Sequence, residues 1–101
     1  MAYGGTYLEG SPVRVQATFA VSGTNTDPTT ITLRVEDPDG NVAVYTYALG
    51  QVTRSATGVY YKDLGPSILD DDGTWVYRWE GTGTAAGVAE SPLRVYPSEV
   101  V

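Results

Sequence analysis

The chain has neither cysteine nor histidine. It therefore builds no disulfide, iron–sulfur cluster or Cys/His zinc site, and has no thiol nucleophile or histidine general base. Cationic groups are scarce as well. Lys62 is the single lysine, and with five arginines it stands against twelve acidic residues, a formal charge of −6 at pH 7. A surface of that sign repels nucleic acid and anionic membranes. No apolar run approaches the ~20 residues that cross a bilayer. Residues 1–10, MAYGGTYLEG, have neither the basic start nor the apolar centre of a secretory signal. The chain is accordingly expected to be made in, and at first to stay in, a cytoplasm. Helical periodicity is missing too: nothing apolar recurs every three to four residues over a helical length.

What is present suits a pleated surface. Thirteen Val, thirteen Thr and eight Tyr favour strands over helices. A length of 101 residues makes one domain with one thin core, hiding roughly 65% of the surface an unfolded chain exposes. Residues 1–6 and 98–101 are expected to be loose tails.

Alternation then places the strands. Val13, Val15, Ala17 and Phe19 share one face against Arg14, Gln16 and Thr18. After a polar loop at 21–29, Ile31, Leu33 and Val35 alternate with Thr32, Arg34 and Glu36. Asp37-Pro38-Asp39-Gly40 closes a hairpin, since Pro38 presets φ and Gly40 tolerates φ > 0. In the return strand, 42–47, Val42 and Val44 are taken as inward, which turns Tyr45 and Tyr47 outward. A short strand is expected at 51–54. In 58–64, Val59 and Tyr61 share one face and Tyr60 takes the other. Trp75, Tyr77 and Trp79 form an aromatic stripe opposite Val76, Arg78 and Glu80. Pro92 marks the last strand, 88–96, as an edge strand or a bulged one. Seven or so short strands with turn signals near every ten residues describe an all-β, antiparallel sandwich; a small closed barrel is the alternative.

Asp71-Asp72-Gly73-Thr74-Trp75-Val76-Tyr77 resembles the Asp-x-Gly-x-Tyr-x-Cys stretch of strand F in immunoglobulin-like domains, with Trp75 in the tyrosine's place and Tyr77 in the cysteine's. The whole run from 7 to 97 resembles small immunoglobulin-like proteins of tailed bacteriophages and prophages. Gly10-Ser11-Pro12-Val13-Arg14-Val15, Asp27-Pro28-Thr29-Thr30-Ile31-Thr32-Leu33, Asp37-Pro38-Asp39-Gly40, Thr57-Gly58-Val59-Tyr60-Tyr61 and Gly73-Thr74-Trp75-Val76-Tyr77-Arg78-Trp79-Glu80-Gly81 carry that likeness in their order. It implies one immunoglobulin-like β-sandwich of about seven strands. It also implies a virion structural role, such as head decoration on the major capsid protein, or a place in the connector or tail. A phage protein leaves its host by lysis, which fits a chain read as lacking an export signal.

No catalytic residue is expected: Lys62 stands alone in a strand, and no serine sits in a nucleophile elbow. Asp70-Asp71-Asp72-Gly73 offers oxygen ligands for Ca²⁺, but without the alternation of an EF-hand loop. It is read as a solvated turn, so no metal or cofactor is expected. Trp75 and Tyr77 are read as core. Tyr45, Tyr47, Tyr60, Trp79, Leu93 and Tyr96 are the expected partner contacts, with strand edges near Val13 and at 93–96 beside them. The expected partners are the major capsid protein or other virion proteins, with self-association open. Glycan binding is also open, and it would need an exposed aromatic platform.

Overall fold

A computed structural model describes residues 6–8, 13–65, 68 and 72–96; of residues 6–8 and 96 only the backbone is described. Its strands are β1 (Thr6–Leu8), β2 (Val13–Thr18), β3 (Ala20–Val21), β4 (Thr24–Asn25), β5 (Thr30–Glu36), β6 (Val42–Thr46), β7 (Thr53–Ala56), β8 (Val59–Leu64), β9 (Gly73–Thr82) and β10 (Gly87–Tyr96). A single 3-10 turn, Gly83–Ala85, lies between the last two. One sheet runs β1-β10-β9-β5-β6, the other β2-β8-β7, and β3-β4 is a small separate hairpin. All pairings are antiparallel except β1 with β10, where Thr6, Tyr7 and Leu8 lie beside Arg94, Val95 and Tyr96. Thr6 thus belongs to a strand rather than to a tail.

The hairpin at Asp37 forms as its residues dictate. Asp37 Oδ1 accepts hydrogen bonds from the N–H groups of Asp39 (3.0 Å) and Asn41 (2.8 Å), and Gly40 takes φ = 91°. In the polar loop, Ser22 (φ 50°) and Gly23 (φ 82°) form the two-residue turn of β3-β4.

The core lies between the two sheets. Val13, Val15, Ala17 and Phe19 come from one side, and Ile31, Leu33, Val35, Trp75, Tyr77, Trp79, Leu93 and Val95 from the other, with Tyr60, Leu64 and Val52 closing it. Each aliphatic side chain so buried contributes roughly 1.5–3 kcal/mol.

β6 faces the other way from the sequence expectation, β8 turns the expected contact Tyr60 inward, and the register says why. Residues directly paired across a ladder share a face. Leu33 pairs with Tyr45 and Val35 with Ala43, so the buried Leu33 and Val35 hold Tyr45 and Ala43 on the inner side. Val42 and Val44, beside Glu36 and Arg34, are turned out and are 54% and 45% exposed. In β8, Ala17 pairs with Tyr60 and Val13 with Leu64, which buries Tyr60 and leaves Val59 and Tyr61 on the outer side.

Candidate interaction site

The aromatic stripe of β9 is entirely core. Trp75, Tyr77 and Trp79 are 4%, 2% and 0% exposed, so they offer no stacking platform to solvent. Tyr60 and Leu93 are buried as well. Of the six expected contacts, Tyr60, Trp79 and Leu93 are therefore corrected to core residues. The side chain of Tyr96 lies outside the described part of the structure, and its backbone is paired with Leu8. That pairing also closes the strand edge expected at 93–96 from Arg94 onward. Tyr45 and Tyr47 remain accessible. Tyr45 is half-buried with the Lys62 ammonium 4.5 Å above its ring, and Tyr47 is exposed with its ring edge-on to Tyr60 at 5.4 Å.

Both tyrosines sit at β6, the terminal strand of the five-stranded sheet. Among the described residues β6 pairs only with β5. Its sequence, Val-Ala-Val-Tyr-Thr, carries no charge, proline or glycine. Edge strands ordinarily carry a charge, a proline or a bulge, because an unpaired row of N–H and C=O groups invites another strand. The other sheet treats its edges differently. β7 bears Arg54 and a register shift between Arg54 and Ala56, while β2 bears Arg14, which pairs with Asp63 at 2.7 Å. The outer face of the large sheet next to β6 is charged: Glu80 receives Arg34 at 3.3 Å and Arg78 at 2.7 Å. β6 is thus a bare aliphatic margin on a salt-bridged face.

A second constellation escaped the sequence reasoning. Asp27, in the loop between β4 and β5, accepts hydrogen bonds on Oδ1 from Gly58 N–H (2.7 Å), Tyr60 O–H (2.9 Å) and Arg54 Nε–H (3.1 Å), and on Oδ2 from Arg54 Nη2–H (3.0 Å). The Arg54 guanidinium first, then the Gly58 amide, hold this carboxyl down at about 2. Burial, then the neighbouring Asp27, pushes the Tyr60 hydroxyl above its ordinary value. The signal available was Asp27-Pro28 within the polar loop; its partners lie 27 to 33 residues away and cannot be read from spacing. The constellation ties the loop to the β7-β8 hairpin. Asp27 spends both its oxygens on these contacts, so the constellation acts in stability.

Asp70 and Asp71 of the acidic run lie outside the described residues. Among the described residues no group of three or more acidic side chains is placed to hold a metal ion, and no helix is long and apolar enough to cross a membrane.

No family model matches the chain, and no curated protein does. Solved structures do. A crystal structure of the titin M3 domain superposes with a TM-score of 0.59 at 16% identity, covering 94% of this chain and 90% of that one. The fold is immunoglobulin-like. The Ig1 domain of mouse SynCAM 2 agrees, with a TM-score of 0.55 at 12% identity over 97% and 95% of the two chains. At such identities the likeness extends to the fold alone. In the strand letters of that fold, β5, β9 and β10 are C, F and G, with β6 as an added C′, and β2, β8 and β7 are B, E and D. β9 therefore lies where the Gly73-Thr74-Trp75-Val76-Tyr77 run led one to expect strand F, with Trp75 and Tyr77 both inward.

Proposed function

We propose that this chain is a non-enzymatic structural protein of a tailed-phage particle, a head decoration protein bound to the major capsid protein. The observation that carries the binding role is the uncharged edge strand β6, with Val42 and Val44 exposed and Tyr45 and Tyr47 beside it. A strand of the partner adds to that edge through backbone hydrogen bonds, and the exposed valines and Tyr47, with the half-buried Tyr45, supply the buried apolar area. The ordered motifs that resemble phage immunoglobulin-like proteins support the particle as the setting, with synthesis in the host cytoplasm and a final place on the capsid exterior. Weak contacts suffice, because a lattice of identical sites multiplies them. The burial of Trp75, Tyr77, Trp79 and Tyr60 weighs against a glycan-binding module, which needs such rings in solvent.

The test is to mix purified protein with empty capsids lacking it, pellet them and count bound copies. Hundreds of copies per particle, with a raised capsid melting temperature, support decoration. A dozen or fewer would move the protein to the connector or tail, and no binding would sink the capsid assignment. Val44→Lys places a charge on the β6 edge. It is expected to cut capsid binding at least tenfold while leaving the far-UV circular dichroism unchanged.

A further inference from the structure

The free edge of β6 is shorter than the strand itself. Thr46 gives its N–H to Gln51 Oε1 and accepts the Gln51 N–H at its carbonyl, both at 3.1 Å, so its backbone groups point away from β5. Tyr47 points the other way, with its N–H on the Ile31 carbonyl at 3.2 Å, and the Asn41 carbonyl accepts from Asp37 N–H at 2.9 Å. Backbone groups alternate sides along an antiparallel strand. Val42 and Val44 therefore share the outward direction of Thr46, while Ala43 and Tyr45 bond toward β5. At the turn, Gly40 has already given its N–H to the Asp37 carbonyl at 3.0 Å. Among the described residues, the open N–H and C=O groups of this edge are those of Val42 and Val44.

We propose that a second copy of this chain covers that edge, antiparallel to the first, about a two-fold axis through Ala43. The register decides the occupant. Val42 of one copy opposite Val44 of the other, and the reverse, satisfies every open group of both copies with four hydrogen bonds. Centring the axis on Val42 would set Val44 against Gly40, and centring it on Val44 would set Val42 against Thr46; in both cases the facing groups are already spent. The side chains match as well. Glu36 stands beside Val42 and Arg34 beside Val44, so each row across the joint runs from Arg34 and Val44 to Val42 and Glu36 of the second copy. Four exposed valines are buried together between a cation at one end and an anion at the other, a balanced strip on a chain of charge −6. Ala43, small and exposed, keeps the inner side of the joint clear. Such a contact is small beside the roughly 1,200–2,000 Å² of a stable interface, so the dimer exchanges readily. The inference shares its edge with the proposed capsid contact but does not rest on the virion assignment. A capsid strand and a second copy compete for the same four groups.

Sedimentation of the full-length chain across a wide concentration range tests it, at about 0.15 M ionic strength, where repulsion between the acidic bodies is screened beyond about 8 Å. A monomer–dimer equilibrium is expected, and Val44→Lys is expected to weaken it at least tenfold. The register is read with Ala43→Cys, because the chain has no cysteine of its own. The two copies of residue 43 form a non-hydrogen-bonded pair with Cα atoms about 4.5 Å apart, within disulfide reach. Under mild oxidation Ala43→Cys is expected to cross-link at least tenfold faster than the control Val88→Cys, whose site on β10 is 60% exposed. A chain that sediments as a monomer throughout would overturn the proposal. So would a dimer indifferent to Val44→Lys, or cross-linking at residue 43 no faster than at the control. If Ala43→Cys fails to fold, sedimentation of the unaltered chain and of Val44→Lys still decides. Capsids take no part in these measurements, so a negative result leaves the capsid assignment to its own test.

Discussion

Single residues hold the loop end of this sandwich, and Asp27 is the clearest. Its folded carboxyl lies near 2, against an ordinary value near 3.8. A depressed acid stabilises the fold above its unfolded pKa, and that stability is lost as pH falls through the folded value. Asp27→Asn is therefore expected to lower the melting temperature at pH 7. Urea or thermal melts should show the gap to the parent protein closing between about pH 4 and pH 2. Asp37 and Asp63 are also depressed, by the Asn41 amide and by the Arg14 guanidinium respectively, so the variant keeps part of the acid dependence. Tyr60 works in the opposite direction. Its folded pKa is raised, so its contribution is complete below about pH 10 and is lost as the solution becomes more alkaline. Tyr60→Phe should flatten that alkaline limb. Gly58 is fixed by geometry: at φ = 74°, a Cβ would meet the Phe19 carbonyl oxygen at 2.5 Å and the Thr26 nitrogen at 2.9 Å. Gly58→Ala is expected to cost at least about 2 kcal/mol in a urea melt, from the left-handed backbone and the displaced strand end together.

At the scale of strands, register decides which face each one shows. β5 alternates unambiguously, and its buried residues impose their orientation on β6 through direct pairing. Leu33→Ala is accordingly expected to destabilise by about 2–5 kcal/mol. Val44→Thr, on the outer face of the neighbouring strand, is expected to change stability by less than about 0.5 kcal/mol. Equal losses in the two chemical melts would overturn the assignment of β6. The same strand is where function is proposed to reside, and its suitability is a property of the element. Val42 to Tyr45, uncharged at a sheet margin, are a pairing template that stops at Thr46, whose N–H and C=O are both bonded to Gln51, whereas β2 and β7 carry charged side chains at theirs.

Taken whole, the molecule is an acidic sandwich with extents of 48 × 22 × 19 Å. A charge of −6 on so small a body repels itself in the compact state. Raising ionic strength from 0.01 to 0.15 M shortens the screening length from about 30 to about 8 Å and is expected to raise the melting temperature by a few degrees in calorimetry. Surface ion pairs such as Arg14–Asp63 are weakened by the same salt, so a fall in melting temperature would show that they outweigh the net repulsion. The parallel pairing of β1 with β10 joins the two ends of the chain. Such non-local contacts place refolding in the range of milliseconds to seconds.

The sequence alone determined the class of fold. Alternation at 13–19 and 31–36 and the Asp37 turn are local features, set by side-chain polarity and backbone sterics within a few residues. The absence of histidine and cysteine likewise excluded whole chemistries without any structure. Register, by contrast, was decided only by the tertiary structure. Where both faces of a strand carry apolar or aromatic residues, as in Val42-Ala43-Val44-Tyr45 and Val59-Tyr60-Tyr61, period two is satisfied either way. The partner strand then breaks the tie, because paired residues must share a face. The Asp27 constellation belongs to the same class: it arises where segments far apart in the chain are brought together by pairing, and no local pattern encodes that meeting.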